Sequence, residues 1–475
     1  MCGIVGYSGP KEPLPILING LSRLEYRGYD SAGIAISDGN KITVEKKEGK
    51  LDVLKNYLKD SNIKGNIGIG HTRWATHGVP NDVNAHPHSD NSEEFAIIHN
   101  GIIENYAEIK KDLLKEGFEF KSDTDTEVVA VELSRKWNGQ LLKTVTDVAK
   151  TLEGTYALVV TTTKEEGTIV AGRLMSPLAL GVGENEVFLA SDSAAILEHT
   201  NKMIFLENGD FVEIKNGQYK LFDSELNEIE REIQEIDWEV SEAEKLGYDH
   251  FMYKEILEQS EVIERTISGR LETTSKEIPI KQDEASKYEK IWIVACGTAY
   301  HAGLFGKDLF EKVLGVPVSV ELASEFRYRE PIVGENDLGI VISQSGETMD
   351  TIAATELLKE NGAHVLALVN VVGSSLARMA DSVFYLHVGP EIGVASTKAF
   401  TCQLAVLLLA TLKAAKDRSE ISATDISKTL NNLKNLPAAL NKYLGNVNSL
   451  KDISYKLSTT SDVLFLGRGL MYPLA

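Results

Sequence analysis

From residue 290 onward, the chain alternates between short aliphatic runs and segments with helical spacing. Aliphatic runs of about four to eight residues that alternate with helices are typical of buried strands in a parallel sheet. The runs that meet this description are residues 291–295, 338–342, 364–369 and 383–388. Helix-like segments at 350–360 and 401–416 complete the pattern. This order predicts a doubly wound α/β domain, to which we assign residues 285–425.

The preceding half of the chain has a different pattern. Alternating apolar runs predict strands at 68–70, 95–99 and 156–160. Helical spacing predicts helices at 107–116 and 126–137. Because these strands and helices are grouped rather than alternating, we expect a layered α+β domain over residues 2–225.

An acidic stretch, residues 225–244, lies between the two halves. Few of its residues favour strands, so it predicts a solvated linker, although an exposed helix face has the same composition. Hydrophobic spacing over 249–270 predicts a helix. We therefore assign residues 226–284 to a linker and a helix.

Charge and cysteine content exclude several classes of function. The 475 residues are enough for two or three domains, and a net charge of −21 argues against nucleic-acid and membrane partners. The three cysteines are far apart, which argues against a disulfide framework and for the reducing cytoplasm. The longest apolar run, residues 404–412, is too short to span a bilayer.

The chain begins with methionine followed by Cys2. If the methionine is removed, Cys2 carries both a nucleophilic thiol and a free α-amine. An α-amine titrates at about 7.7–8.0, close enough to neutral pH to act as the base for its own thiol. A small residue at position 2 is also common in unrelated proteins, so this interpretation needs support from other residues.

Three further segments carry groups that suit hydrolysis of a glutamine side-chain amide. The guanidinium of Arg73 can bind a carboxylate through two hydrogen bonds. Asn100 and Gly101 follow a predicted strand and can offer a side-chain amide and a backbone N–H to an oxyanion. Residues 122–127 place carboxylates, including Asp125, where they can bind an ammonium group. A free amino acid needs both a cation and an anion, so these groups predict a glutamine site.

These segments resemble the class II, N-terminal-nucleophile family of glutamine amidotransferases. The similarity lies in residues 2–6, 24–33, 71–78, 84–87 and 99–101. The resemblance implies an αββα sandwich with Cys2 as nucleophile, its α-amine as base, and Asn100 and Gly101 as the oxyanion hole. It also implies that glutamine is bound by Arg73, Trp74, Thr76, His77 and Asp125.

Five of the ten histidines fall close together in the sequence, at His71, His77, His86, His88 and His99. Their spacing fits no zinc pattern and no cysteine joins them. We therefore expect polar scaffolding of loops here, with neither a metal nor an organic cofactor.

Residues 343–348, with the sequence Ser-Gln-Ser-Gly-Glu-Thr, lie between a predicted strand and a predicted helix. Hydroxyls, backbone N–H groups and a helix N-terminus together can form a cradle for an anion. The segment lacks the Gly-Lys-Ser/Thr of a P-loop, so a phosphorylated small molecule fits better than a nucleotide. A serine-rich turn that caps a helix is the alternative.

Together with residues 295–298, 321–329 and 391–401, this segment resembles the sugar isomerase (SIS) family. The resemblance implies a sugar phosphate held by Thr298, Ser343, Gln344, Ser345 and Thr348, with Val394 and Ser396 along the sugar chain. Ala299 departs from the family pattern, because many members have a serine there that assists phosphate binding.

An amidotransferase domain followed by an SIS domain resembles the glutamine:fructose-6-phosphate aminotransferase (isomerizing) family, the glucosamine-6-phosphate synthases. The resemblance implies conversion of fructose 6-phosphate and glutamine to glucosamine 6-phosphate and glutamate, and a homodimer in the complete enzyme. Residues 463–472 repeat the pattern of 291–300, which predicts the first strand of a second, truncated SIS domain over 450–475. No residue matches the isomerase groups of the family by motif. The alternatives are therefore a glutaminase alone, another class II amidotransferase, or a non-enzymatic sugar-phosphate sensor.

Overall fold

The computed structural model describes residues 2–25, 28, 30–75, 78–236, 247–272, 278–280, 288–418 and 420–475. The chain divides into two compact units, Met1–Ala243 and Glu244–Ala475.

Fifteen strands are present in the described part of the first unit. They are β1 (Gly3–Ser8), β2 (Ser31–Ser37), β3 (Ile42–Glu48), β4 (Ile67–Arg73), β5 (His88–Ser89), β6 (Phe95–Ile103), β7 (Gly154–Thr162), β8 (Thr168–Leu174), β9 (Ala179–Val182), β10 (Val187–Ala190), β11 (Lys202–Phe205), β12 (Phe211–Lys215), β13 (Gln218–Phe222), β14 (Glu228–Ile229) and β15 (Gln234–Glu235). Its helices are α1 (Pro13–Leu24), α2 (Leu51–Tyr57), α3 (Tyr106–Lys115), α4 (Asp125–Arg135) and α5 (Leu141–Ala149).

These strands form two antiparallel sheets. Among the described residues, one sheet has eight strands in the order β15-β11-β9-β10-β1-β4-β2-β3, and the other has seven in the order β14-β13-β12-β8-β7-β6-β5. Aliphatic side chains from both sheets, such as Ile4, Ile69, Ile98 and Val159, share one core cluster. The sheets therefore pack face to face.

Helices cover the outer face of each sheet. Leu17, Leu21 and Leu24 of α1 repeat at helical spacing and are buried against the β1 side, together with residues of α2. On the other sheet, α4 and α5 contribute apolar side chains such as Val129 and Val145 to a separate cluster. The result is four layers, helix, sheet, sheet and helix, which confirms the predicted αββα sandwich.

The acidic stretch is not simply a linker, which corrects our assignment for residues 228–236. Strand β14 pairs with β13 and β15 pairs with β11, so each lies at the edge of a sheet. Short edge strands tolerate charged residues because one side of the strand faces solvent. Ile236, which follows β15, is buried in the core of the first unit. Residues 237–246 lie outside the described residues.

The second unit begins with α6 (Phe251–Ile267), and a strand–helix alternation follows. Its further elements are β16 (Lys290–Ala295), α7 (Gly297–Leu314), β17 (Val318–Leu322), α8 (Ala323–Phe326), β18 (Asp337–Ser343), α9 (Met349–Glu360), β19 (His364–Val369), α10 (Ser375–Met379), β20 (Ser382–Tyr385), α11 (Lys398–Asp417), α12 (Ala423–Leu444) and α13 (Asn448–Leu457).

In the described residues of this unit, five strands form a parallel sheet in the order β17-β16-β18-β19-β20. Two core clusters lie on opposite faces: Ile293 and Ile340 pack with α7 and α11, whereas Val294 and Val341 pack with α9. Helices therefore cover both faces, and the predicted doubly wound α/β fold is confirmed. The order in which the strands are added changes direction between β16 and β18. In open α/β sheets, ligands bind at such a point.

One helix among the described residues is long and apolar enough to cross a membrane by length and composition. It corresponds to residues Lys398–Lys416 of α11, with a mean hydropathy of 1.4, and 78% of its apolar window is buried inside the structure. Its side chains contribute much of the core between α6 and α7. Burial of this kind is what a core helix of an α/β domain requires.

The predicted strand at the start of the repeat, within residues 463–472, is wrong. Residues 462–468 have no regular structure, and Leu464 and Leu466 are 87% and 90% exposed. A strand requires backbone hydrogen bonds from a neighbour, and none of the described strands pairs with this segment. The assignment of 450–475 to a second SIS domain stays a prediction.

Candidate active site

Cys2 lies immediately before β1, beside the end of β4. The antiparallel register pairs Gly3 with Thr72, which brings Cys2 next to the residues that follow Thr72. The backbone N–H of Trp74 donates to Cys2 Sγ at 3.3 Å. Burial raises the pKa of the Cys2 thiol, whereas this hydrogen bond and the charge of Arg73 lower it. The thiol is therefore held in place by backbone of the adjacent strand end.

Asn100 reaches the same place from the opposite sheet. Its side-chain Nδ2 donates to the carbonyl oxygen of Cys2 at 3.1 Å. The next residue, Gly101, has φ 129°, and a Cβ there would lie 2.0 Å from the carbonyl oxygen of Thr155. Only glycine fits this backbone, so the sequence Asn-Gly is required by the geometry of β6.

Arg73 and Asp125 provide opposite charges near the thiol. Both side chains are almost fully buried, at the end of β4 and the start of α4. Burial lowers the pKa of the Arg73 guanidinium, while Asp30, Cys2 and Asp125 raise it. Asp125 Oδ2 accepts a hydrogen bond from the backbone N–H of Ile103 at 2.9 Å. The structure therefore brings together four of the predicted groups: the thiol, the Asn100 amide, the guanidinium and the Asp125 carboxylate.

The remaining residues predicted to bind glutamine are only partly described. Trp74 is 47% exposed, on the segment that follows β4. Thr76 and His77 lie outside the described residues.

Asp30 has a role at this site that we did not infer from the sequence. Its side chain accepts hydrogen bonds from the backbone N–H of Ala75 and from the Ser31 hydroxyl, while its own backbone N–H donates to the Arg73 carbonyl. Asp30 therefore holds the segment that carries Trp74. The sequence signal for this role is that Asp30 lies within residues 24–33, one of the segments that resemble class II amidotransferases.

Histidines behind the site form a buried hydrogen-bonded cluster. Among the described residues, no group of three or more histidine, cysteine, aspartate or glutamate side chains could hold a metal ion. His86 and His99 both contact the Thr126 hydroxyl, at 2.9 and 3.0 Å, and His88 contacts Thr124 at 3.0 Å. Burial lowers the pKa of His86 and of His88 well below the usual range.

In the second unit, residues 343–348 form a turn between β18 and α9. The Ser343 hydroxyl accepts from the Gly346 N–H at 3.0 Å and lies 3.0 Å from the Thr348 hydroxyl. The Ser345 hydroxyl accepts from the Glu347 N–H at 3.2 Å. Gln344 and Ser345 are half-buried at the edge of the turn. Hydroxyls and N–H groups thus surround the N-terminus of α9, as an anion cradle requires.

Two further features position this turn. Gly346 has φ 66°, and a Cβ there would lie 2.1 Å from Ser374 Oγ. Glu347 points away, because its two carboxylate oxygens accept from the Ser375 N–H and Ser375 hydroxyl, each at 2.8 Å. Thr298, on the first turn of α7, is exposed at the end of the neighbouring strand β16. The structure therefore places Thr298 and the 343–348 turn at the reversal between β16 and β18.

The predicted sugar-chain residues lie on the segment between β20 and α11. Ser396 donates to Glu391 Oε2 at 2.9 Å, and Val394 is 71% exposed. Glu391 Oε1 also accepts from the backbone N–H groups of Thr397 and Ala399. Glu255 of α6 accepts from the N–H groups of Ile392 and Gly393. These carboxylates hold the segment that we name the sugar loop, residues 391–397.

Comparison with known proteins identifies the family. A glutamine–fructose-6-phosphate aminotransferase (isomerizing) of Clostridium perfringens (strain 13 / Type A) is 47% identical over 479 residues, covering 100% of this chain and 78% of the relative. The chain belongs to the glutamine–fructose-6-phosphate aminotransferase family. A relative of the same name from Caldanaerobacter subterraneus subsp. tengcongensis is 48% identical, with 100% of this chain and 79% of the relative covered.

The two family models that match fit this membership. The glutamine amidotransferase domain matches residues 58–247, and the SIS domain matches residues 285–413. A solved structure, the C-terminal domain of glucosamine-fructose-6-phosphate aminotransferase from Francisella tularensis, is 41% identical with a TM-score of 0.46. It covers 49% of this chain and 66% of its own.

Proposed function

We propose that this chain uses glutamine as nitrogen donor to convert fructose 6-phosphate to glucosamine 6-phosphate, with release of glutamate. One observation carries the proposal: the Asn100 amide donates to the carbonyl of Cys2, and the charged neighbours of Arg73 include both Cys2 and Asp125. The relatives that match the whole chain are named for this reaction.

In the proposed glutaminase step, the α-amine of Cys2 takes the thiol proton once methionine has been removed. The thiolate attacks the carboxamide carbon of glutamine and forms a tetrahedral oxyanion, to which Asn100 and Gly101 donate hydrogen bonds. Collapse of this intermediate breaks the C–N bond, and the departing nitrogen takes the proton to leave as ammonia. Water then hydrolyses the thioester to glutamate.

The charged groups orient the substrate for this attack. Arg73 would bind the α-carboxylate of glutamine through its guanidinium, and Asp125 the α-ammonium group. Trp74, Thr76 and His77 complete the proposed glutamine site.

The second unit supplies the proposed acceptor site. Thr298, Ser343, Gln344, Ser345 and Thr348 surround a helix N-terminus with polar groups, which suits the phosphate of fructose 6-phosphate. Val394 and Ser396 lie on the sugar loop and would contact the carbon chain of the sugar. We propose no metal and no organic cofactor for either step.

The proposal includes a homodimer in the cytoplasm. Cys2, Cys296 and Cys402 are all free thiols, which suits a reducing compartment. The assembly rests on the family resemblance, and size-exclusion chromatography with light scattering tests it.

The reaction is tested by measuring glutamate and glucosamine 6-phosphate after incubation of the purified protein with glutamine and fructose 6-phosphate. We expect both products in equal amounts, and we expect the Cys2→Ala variant to form neither. Formation of glutamate without glucosamine 6-phosphate would mean that the chain has glutaminase activity only. Absence of both products from the parent protein would overturn the proposal.

A further inference from the structure

The hydrogen bonds around Asn100 determine which way its side-chain amide points. Nδ2 lies 3.1 Å from the carbonyl oxygen of Cys2, which can only accept a hydrogen bond. On the other side of the amide, Oδ1 lies 3.0 Å from His71 Nε2. The two ends of the amide therefore have different partners, one on the thiol side and one behind it.

His71 can act as the donor to this amide in only one tautomer. Its Nε2 lies 3.1 Å from the carbonyl oxygen of His99 and 3.0 Å from Asn100 Oδ1, and both of these atoms are acceptors. Nε2 must then carry a proton, and in the neutral ring this is the tautomer with a lone pair on Nδ1. Complete burial of His71 favours the same state, since it lowers the pKa of the ring to about 3.

The cluster around His71 fixes the position of its ring. The His86 ring lies 4.3 Å away between centroids, and His86 is itself held by the Thr126 hydroxyl. His99, whose carbonyl accepts from His71, also contacts Thr126 through Nδ1 at 3.0 Å. A ring packed in this way has little freedom to turn its Nε2 away from Asn100.

This orientation matters for the reaction because a reversed amide would present an oxygen to a developing negative charge. We propose that His71 is a positioning residue that holds the Asn100 amide with both N–H bonds on the thiol side. One N–H donates to the Cys2 carbonyl, and the other is available to the oxyanion. The inference rests on the proposed role of Asn100 as an oxyanion donor.

Glutaminase kinetics of His71 variants test this inference. His71→Leu removes the donor, and we expect kcat to fall about 10–100-fold while KM for glutamine stays within about twofold, because only transition-state stabilisation is lost. His71→Gln places an amide N–H where Nε2 lies, and we expect it to restore kcat to within about fivefold of the parent. In an Asn100→Ala background, His71→Leu should change kcat less than about twofold, because the amide that it orients is gone.

His88→Leu is the matched control, since it removes another buried histidine whose partner is Thr124 rather than Asn100. We expect its kcat to stay within about threefold of the parent, as loss of packing alone predicts. A His71→Leu variant with the parent kcat, or one whose effect is undiminished in the Asn100→Ala background, overturns the inference. If Asn100→Ala itself leaves kcat unchanged, the oxyanion role of Asn100 fails and the inference fails with it, whereas the proposed function fails only if the parent protein forms no product.

A measurement on the unaltered protein covers the case in which the variants do not fold. The ¹⁵N chemical shifts of the His71 ring distinguish the two neutral tautomers. We expect the Nε2–H tautomer at pH 7. The Nδ1–H tautomer, whose Nε2 carries no proton, would rule out donation to Asn100 and overturn the inference.

Discussion

The carboxylate of Glu255 accepts a hydrogen bond at 2.9 Å from the backbone N–H of Gly393. The same carboxylate accepts from the N–H of Ile392, so helix α6 holds the start of the sugar loop by two main-chain contacts. A Cβ at position 393 would lie 2.4 Å from Glu255 Oε2, which shows how closely the backbone approaches the carboxylate. The sugar loop therefore depends on a side chain far away in sequence.

Replacement of Glu255 by leucine should weaken fructose 6-phosphate binding. The variant leaves the buried N–H of Ile392 and the half-buried N–H of Gly393 without their acceptor. An unsatisfied buried group costs about 1–3 kcal/mol, which the sugar loop avoids by moving. We expect KM for fructose 6-phosphate to rise about tenfold or more, with glutaminase kcat unchanged. Glu255→Gln keeps one acceptor oxygen, so its KM for fructose 6-phosphate should lie between those of the parent and of Glu255→Leu.

The control for this series is Glu264→Gln, an exposed position on the same helix. Steady-state kinetics with each substrate varied in turn separate the two sites. A Glu255→Leu variant with the parent KM for fructose 6-phosphate would show that the sugar loop does not need this carboxylate.

Blocking the N-terminus should abolish the glutaminase while leaving the thiol in place. Insertion of a glutamate between Met1 and Cys2 retains the sulfur but converts the α-amine into an amide, which cannot accept the thiol proton. Loss of a positioned base predicts a fall in kcat of about 10²–10⁴-fold. Mass spectrometry establishes which N-terminus each protein carries, and glutamate release measures the rate. Activity at the parent rate would remove the α-amine from the mechanism.

Both folds follow from patterns that a single sequence displays. The strand–helix alternation after Lys290 predicts the parallel sheet, and four of its five strands were identified. Strand β17 was not predicted, because Ser319 and Glu321 interrupt its aliphatic residues. An edge strand tolerates such polar residues. Helix α12 was not predicted either, and its Pro437 is a residue that usually breaks a helix. In the structure the helix continues through Pro437, whose carbonyl oxygen accepts a hydrogen bond from the Ser260 hydroxyl at 2.7 Å.

The candidate site shows the same division between local and long-range information. Cys2, Arg73, Asn100 and Asp125 were inferred from local motifs, and the structure brings them together. Glu255 gives no signal in its own helix, since its role depends on a partner 138 residues away. Contacts of this kind arise only from the tertiary fold. Sequence motifs therefore identify the reacting groups more readily than they identify the residues that support those groups.

The turn at Gly346 should be intolerant of a side chain. Gly346→Ala adds a Cβ at 2.1 Å from Ser374 Oγ and places alanine at φ 66°. We expect weaker binding of fructose 6-phosphate, by about tenfold or more, because the hydroxyls and N–H groups of the cradle must shift. Gly315→Ala is the matched control, since Gly315 has φ 63° but open space around its Cβ position.

The control variant isolates the backbone strain, which costs about 1 kcal/mol, from the steric clash at the cradle. Isothermal titration with fructose 6-phosphate measures the affinity of each protein. Equal affinities for the Gly346→Ala and Gly315→Ala variants would mean that the 343–348 turn does not contact the phosphate.

The buried histidines should make the first unit sensitive to acid. The pKa of His71 is lowered by burial to about 3, and the pKa values of His86 and His88 are lowered well below 6.5. Between pH 6.5 and these lower values, the unfolded chain binds more protons than the folded chain, so the free energy of unfolding falls as the pH falls. Three such groups contribute up to about 4 kcal/mol per pH unit, at about 1.4 kcal/mol each.

Hydrogen exchange of the amides in β4 and β6, followed by mass spectrometry at pH 7, 6 and 5, measures this loss within the first unit. His88→Gln should reduce the pH slope by about one third, because one of the three histidines no longer titrates. His301→Gln, an exposed position in the second unit, controls for the substitution and should leave the slope in β4 and β6 unchanged. A His88→Gln protein with the parent slope would mean that His88 takes up no proton when the first unit unfolds, contrary to its burial beside Thr124.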